Sequence, residues 1–213
     1  MSESPPGARL LITTGCSHCS AALEGLTRLV KSGRLASLTI VNLSATPEAA
    51  RDLTLRSVPV TEIGPFRLEG ALTSGELADW VDAAGRGEGW PAYYAHLLEH
   101  QRLDEVLARV KERRSCLVEL LSLLASEDTS MTARIGIGAV MEELSGSAEL
   151  RAVIPDLVQL TLSESHRTRA DACHYLGLTG NARVVPAVQR LLYDELHEVR
   201  EIASETLAML GAD

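Results

Sequence analysis

The apolar positions follow two different rhythms along the chain. Up to about Gly85, short, nearly continuous apolar runs alternate with stretches whose apolar residues return every three or four positions. Residues 9–14 (RLLITT) read as a buried strand. Residues 16–32 read as a helix with Leu23, Leu26, Leu29 and Val30 on one face and Gly33 as the stop. Residues 37–43 (SLTIVNL) form a second strand candidate. Thr46-Pro47-Glu48 supplies a cap, a proline at the first helical position and an acidic first turn, which predicts a short helix to about Leu55. Residues 58–63 and 66–68 read as two strands joined at Gly64-Pro65, and Thr73-Ser74 opens a helix carrying Leu77, Trp80 and Val81. The predicted order is β-α-β-α-β-β-α, a layered α/β fold.

Beyond this point the rhythm is helical only. Residues 85–91 (GRGEGWP) combine three glycines and a proline, the composition of a boundary. The expected division is residues 8–85, a linker and connecting helix over 86–102, and a helical domain over 103–213. Within the helical part the segment beginning at Val153 recurs at Val184, a spacing of 31 residues. The register holds without a gap: Pro155 meets Pro186, His166 meets His197, Arg169 meets Arg200, Ala172 meets Ala203, Leu176 meets Leu207 and Gly180 meets Gly211. A looser copy covers residues 116–147, with Arg134 standing 35 residues before Arg169. A pair of helices cannot bury its apolar face alone, so repeated pairs stack into a solenoid. The segment from about Leu103 to Leu210 resembles HEAT repeats, whose second helix often opens on Val-Arg and carries paired small residues, as Val199-Arg200 and Ala203 do here.

Composition narrows the classes of function. The 213 residues carry 20 basic and 29 acidic side chains, a net charge of −9. The charge is uneven, −2 over residues 1–85 and −7 over residues 86–213. Such a balance repels phosphate backbones, so neither nucleic-acid binding nor a polybasic membrane contact is expected. Hydrophobic residues at 46% suffice for packed cores, and 34 leucines against 3% aromatics favour helices. The opening residues lack a basic region followed by an apolar segment and a cleavage site, and no apolar run has membrane-span length, so a cytoplasmic location is expected. Four cysteines are too few for a disulfide scaffold at this length.

The strongest chemical signal is Gly15-Cys16-Ser17-His18-Cys19, a C-x-x-C at a strand-to-helix junction. Unpaired amides and the dipole at a helix start stabilise a thiolate, so Cys16 is expected to titrate below the free-thiol value of roughly 8.5. Cys19 lies one turn on, within reach for a disulfide. This assigns Cys16 as the attacking thiol and Cys19 as the resolving one, with His18 between them to favour the thiolate when protonated. Two alternatives stay open: a packed, inert pair, or half of a metal site. The segment over residues 8–85 resembles thioredoxin-fold proteins. Val58-Pro59-Val60 stands where that family carries a cis-proline facing the cysteines, and the resemblance implies that Pro59 presents the backbone at Val58 to a substrate chain. The motif departs from thioredoxins in having Gly15 before the first cysteine and Ser17-His18 within the pair. The strand Leu10-Leu11-Ile12 lacks the buried acid of those proteins, and no glutathione-site pattern stands out.

Other chemistry-bearing residues have structural readings. Cys116 and Cys173 fall within helical stretches as small core residues. His96 and His100 share a helix face but lack a third ligand. Trp90, Tyr93 and Tyr94 suggest a packing patch beside the linker. His166 and His197 suggest a structural hydrogen bond or a cap at the inter-helix turn, and Arg167, Arg169 and Arg200 suggest pairing with Asp171, Glu198 and Glu201. No phosphate-binding glycine loop is present, so no small-molecule cofactor is expected.

The expectation is therefore an α/β thioredoxin-like domain followed by an all-α HEAT-like solenoid. The function expected is that of a thiol–disulfide oxidoreductase acting on a protein partner chosen by the helical repeats, with Cys16, Cys19, His18 and Pro59 as its site. The alternative is a non-catalytic binding or redox-sensing adaptor on the same two folds. Neither a metal nor an oligomeric state is assigned.

Overall fold

A computed structural model describes residues 4–51, 55–113 and 115–212. The chain divides into two compact units, Met1–Gly89 and Trp90–Asp213. Among the described residues no helix is long and apolar enough to cross a membrane.

The first unit is a four-stranded mixed sheet with helices. Its elements are β1 (Gly7–Ile12), α1 (Cys19–Lys31), β2 (Ser37–Asn42), β3 (Val60–Ile63), β4 (Phe66–Glu69) and α2 (Ser74–Arg86). The sheet order is β2-β1-β3-β4, with β1 parallel to β2 and antiparallel to β3. Where a helix is expected from Thr46 to about Leu55, the described residues form a 3-10 turn, Pro47–Ala50. Pro47 starts the turn as its fixed φ dictates, and the turn buries no residue. The remainder of that expected helix, residues 52–54, lies outside the described residues.

Core and surface follow from the two-residue period of the strands. Leu10, Ile63, Phe66 and Leu68 are fully buried, as are Leu26 of α1 and Leu77 of α2. Register places Arg9 opposite Glu62 and Glu62 opposite Arg67, so these three share one face. They pair at 3.3 and 3.2 Å as a charged ladder. Helices α1 and α2 pack closely because Gly25 has no side chain. A Cβ there would lie 2.9 Å from Leu77 Cδ1. Thr73 caps α2 with a full capping box to Glu76, and Gly87 closes it in the left-handed conformation at φ 68°.

The second unit is all-helical among its described residues. It contains α3 (Trp90–Glu99), α4 (Leu103–Glu112), α5 (Ser115–Ala125), α6 (Met131–Glu143), α7 (Ala148–Ala152), α8 (Ile154–Leu160), α9 (His166–Leu178), α10 (Val185–Leu191) and α11 (His197–Met209). The 31-residue sequence repeat is a structural one. Helices α8 and α10 both open on a proline in the first turn, and α9 and α11 have equal length and matching ends. Gly180 and Gly211 follow the long helices with φ near +60°, at 61° and 67°. Arg169 and Arg200 repeat one hydrogen-bond pattern. Nη1 of Arg169 donates to the carbonyls of Ser163 and Glu164, and Nη1 of Arg200 donates to those of Asp194 and Glu195.

Candidate functional site

The site forms where β1 ends. Residues 13–18 turn the chain from β1 into α1, with Gly15 at φ 81°, a value open to glycine at low cost. The amide of Cys16 donates to the Thr13 carbonyl at 3.4 Å. The helix begins at Cys19, one turn later than the hydrophobic pattern suggests. His18 is the residue before the first turn, is exposed, and makes no capping hydrogen bond with its side chain.

Cys16 and Cys19 form a disulfide, with Cα atoms 5.5 Å apart. The two residues differ in exposure. Cys16 is half-buried in the turn, whereas Cys19 is 6% exposed on the inner face of α1 beside Ala22.

The peptide bond between Val58 and Pro59 is cis. Because β3 runs antiparallel to β1 and Val60 stands opposite Leu11, Pro59 lies at the end of the sheet where β1 delivers the cysteines. The Pro59 carbonyl accepts from the Gly70 amide at 2.9 Å, which ties the start of β3 to the end of β4. Leu10 and Leu11, on the strand leading to the motif, are both fully buried and bring no carboxylate.

Glu69 also belongs to this end of the sheet. It is 4% exposed at the end of β4, and its Oε2 accepts from the Arg56 amide at 3.1 Å. This contact anchors the segment that leads into Val58-Pro59. A single acid at the end of a short strand carries no sequence signal of such a role.

The remaining candidates lie elsewhere in the chain. Cys116 and Cys173 are fully buried, and burial pushes each thiol up to about 11. The rings of His96 and His100 lie 4.1 Å apart, and among the described residues no three or more His, Cys, Asp or Glu side chains are grouped to hold a metal ion. Tyr93 and Tyr94 are buried, and the Arg113 guanidinium sits 3.6 Å from the centre of the Trp90 ring. The arginines pair differently from expectation. Arg169 holds Asp194, Arg200 holds backbone carbonyls, and Asp171 is taken by Arg134 at 2.9 Å. His166 and His197 open α9 and α11 without capping them; Ser165 caps α9, and His197 lies 3.3 Å from Glu201.

Compared with known proteins, the chain matches no family model, and no curated protein matches its sequence.

Proposed function

We propose that the first unit is a thioredoxin-like domain and that the protein is a thiol–disulfide oxidoreductase whose HEAT-like helices select a protein partner. The observation that carries this reading is the pairing of a more accessible Cys16 with a buried Cys19, at the sheet end that also holds cis-Pro59.

The chemistry follows from that asymmetry. In the reducing direction the Cys16 thiolate attacks one sulfur of a substrate disulfide and releases the other as a thiolate, which takes up a proton. A mixed disulfide joins Cys16 to the substrate. Cys19, as its thiolate, then attacks Cys16 and frees the second substrate thiol. The substrate gains two electrons and the pair loses two. The oxidising direction is the reverse, with substrate dithiol as the electron donor. His18, exposed between the cysteines, supplies positive charge when protonated and so favours the thiolate over the disulfide.

Replacing Cys19 with Ser blocks resolution. The variant is expected to accumulate a mixed disulfide through Cys16 with a protein disulfide substrate, resolved by mass spectrometry. No adduct with any disulfide substrate overturns the reading. The reduction potential assigns direction: about −270 mV suits a reductase and about −120 mV an oxidant. A second reading, a non-catalytic adaptor, is supported by the absence of an acid on Leu10-Leu11-Ile12. It prevails if a Cys16→Ser/Cys19→Ser double variant retains full cellular function.

A further inference from the structure

The long helices of the second unit leave one face uncovered. Helices α6, α9 and α11 line an open groove of about 690 Å³. Its apolar contribution is unusual for a free surface. Ile135 is 68% exposed, Met131 56% and Met209 53%, and Ile202 joins them on α11. Its floor is shaped by small residues, Gly138 and Ala139 on α6 and Ala170 on α9. Exposed apolar side chains gathered along one groove mark a binding surface.

Charge identifies what the groove accepts. Arg134 is already taken by Asp171, and Glu142 stands 4.0 Å from His174. A neighbouring pocket of about 500 Å³ continues the groove past the starts of α6 and α9, sharing Met131, Arg134 and Arg167 with it. Across the two, Glu127, Glu164, Glu198 and Glu205 make no ion pair among the described residues, against one such cation, Arg167. An apolar floor with an unpaired acidic rim complements an amphipathic segment whose apolar stripe is flanked by Lys or Arg. A second copy of this chain fits poorly, because its helical half is itself acidic, −7 over residues 86–213.

We infer that the α6–α9–α11 groove binds a cationic amphipathic helix of a partner protein. The inference names the partner class for the proposed oxidoreductase and rests on that reading only in treating the helices as its selecting part. Ile135, Ile202 and Met209 take the apolar stripe, and the rim glutamates hold the flanking cations. Since the rim is exposed, its share of the affinity falls as salt rises.

The test uses the full chain and a Leu–Lys amphipathic peptide about 14 residues long, with leucines at helical spacing. A control peptide carries Glu in place of every Lys. Fluorescence anisotropy is expected to show binding of the Lys peptide only. Glu198→Gln/Glu205→Gln is expected to weaken it about tenfold, and Ile135→Asp to abolish it. Equal binding of the Glu peptide overturns the inference, because charge then decides nothing. Unchanged binding by Ile135→Asp also overturns it, because the peptide then sits elsewhere on the acidic surface. Concentration-dependent self-association that Ile135→Asp removes overturns it in favour of a second copy. The Cys16→Ser/Cys19→Ser variant is expected to bind the peptide unchanged, so failure of the redox reading and failure of this one are separately visible.

Discussion

Arg169 and Asp194 join the two matching repeat units through a two-pronged ion pair. Nε and Nη2 of the guanidinium donate to Oδ2 and Oδ1 of the carboxylate at 2.7 and 2.9 Å. The two side chains are only 11% and 6% exposed. The third arm of the arginine closes the turn before its own helix through Ser163 and Glu164. One side chain thus fixes a turn and the stacking of the next unit together.

Removing either partner strands the other in a nearly dry site. Arg169→Ala is expected to destabilise the helical unit by roughly 3–5 kcal/mol, read as a fall in the urea midpoint of the helical circular dichroism signal. The effect depends on pH with a definite sign. The hydrogen bond from Arg169 holds the Asp194 carboxyl below its ordinary value of 3.8. A depressed folded-state value means the stabilisation is present above the unfolded-state value and is lost as pH falls through the folded one. The stability difference between the native protein and Asp194→Asn should therefore be constant near neutrality and shrink below about pH 4. A difference that grows with acidification contradicts this account.

Gly177 reports on how closely α9 and α11 approach. A Cβ at this position would lie 2.9 Å from Thr206 Cγ2 and 3.2 Å from Met209 Sδ. Thr206 is buried, and its Oγ1 donates to the Cys173 carbonyl at 3.5 Å, so it has little room to withdraw. Helix propensity alone would make Gly177→Ala favourable by about 1 kcal/mol. Overpacking costs about 1–3 kcal/mol and is expected to win, lowering the thermal midpoint. A raised midpoint would show that the two helices can separate at small cost.

The features legible in sequence were those with a local cause. The strands of the first unit follow from their apolar runs, and the 31-residue register follows from Pro155/Pro186 and Gly180/Gly211, each of which ends or starts an element by its own backbone preference. The C-x-x-C pair was legible for the same reason: where a helix starts, a separation of three residues is one turn and brings the two sulfurs within reach. Long-range partnerships were not. The sequence offered Asp171, Glu198 and Glu201 as partners for Arg167, Arg169 and Arg200, yet Arg169 reaches Asp194 in the next repeat and Asp171 serves Arg134. Glu69 likewise acts on Arg56, thirteen residues away across a turn, which no periodicity encodes. The helix expected after Thr46 had a good start signal, and its described part is a 3-10 turn over Pro47–Ala50 that buries no residue.

The four cysteines should separate cleanly by reactivity. Burial pushes Cys116 and Cys173 up to about 11, which leaves almost no thiolate near neutral pH. Both are also sealed from solvent. After mild reduction, iodoacetamide at pH 7.5 is expected to modify Cys16 first, with Cys116 and Cys173 labelled only when the protein is unfolded. Mass spectrometry of the digested protein gives the order directly. Labelling of Cys173 at a rate like that of Cys16 would mean that the α9–α11 contact opens readily.

Glu69 tests whether the segment before Pro59 must be held in place. Its carboxylate accepts from the Arg56 amide in a nearly dry setting, and a hydrogen bond to a charged group of this kind contributes about 1.5–3 kcal/mol. Glu69→Ala removes the acceptor, whereas Glu69→Gln keeps an oxygen in its place. Hydrogen exchange at the Arg56 amide is expected to quicken strongly in the alanine variant and only slightly in the glutamine one. If the proposed substrate chain pairs with the backbone at Val58, the alanine variant should also slow adduct formation between a protein disulfide and the Cys19→Ser background. Reaction of Cys16 with a small disulfide, which needs no backbone partner, should be unchanged. Slowing of both reactions alike would place the effect of Glu69 on the cysteine pair itself, and slowing of neither would leave the Arg56 contact without a part in the chemistry.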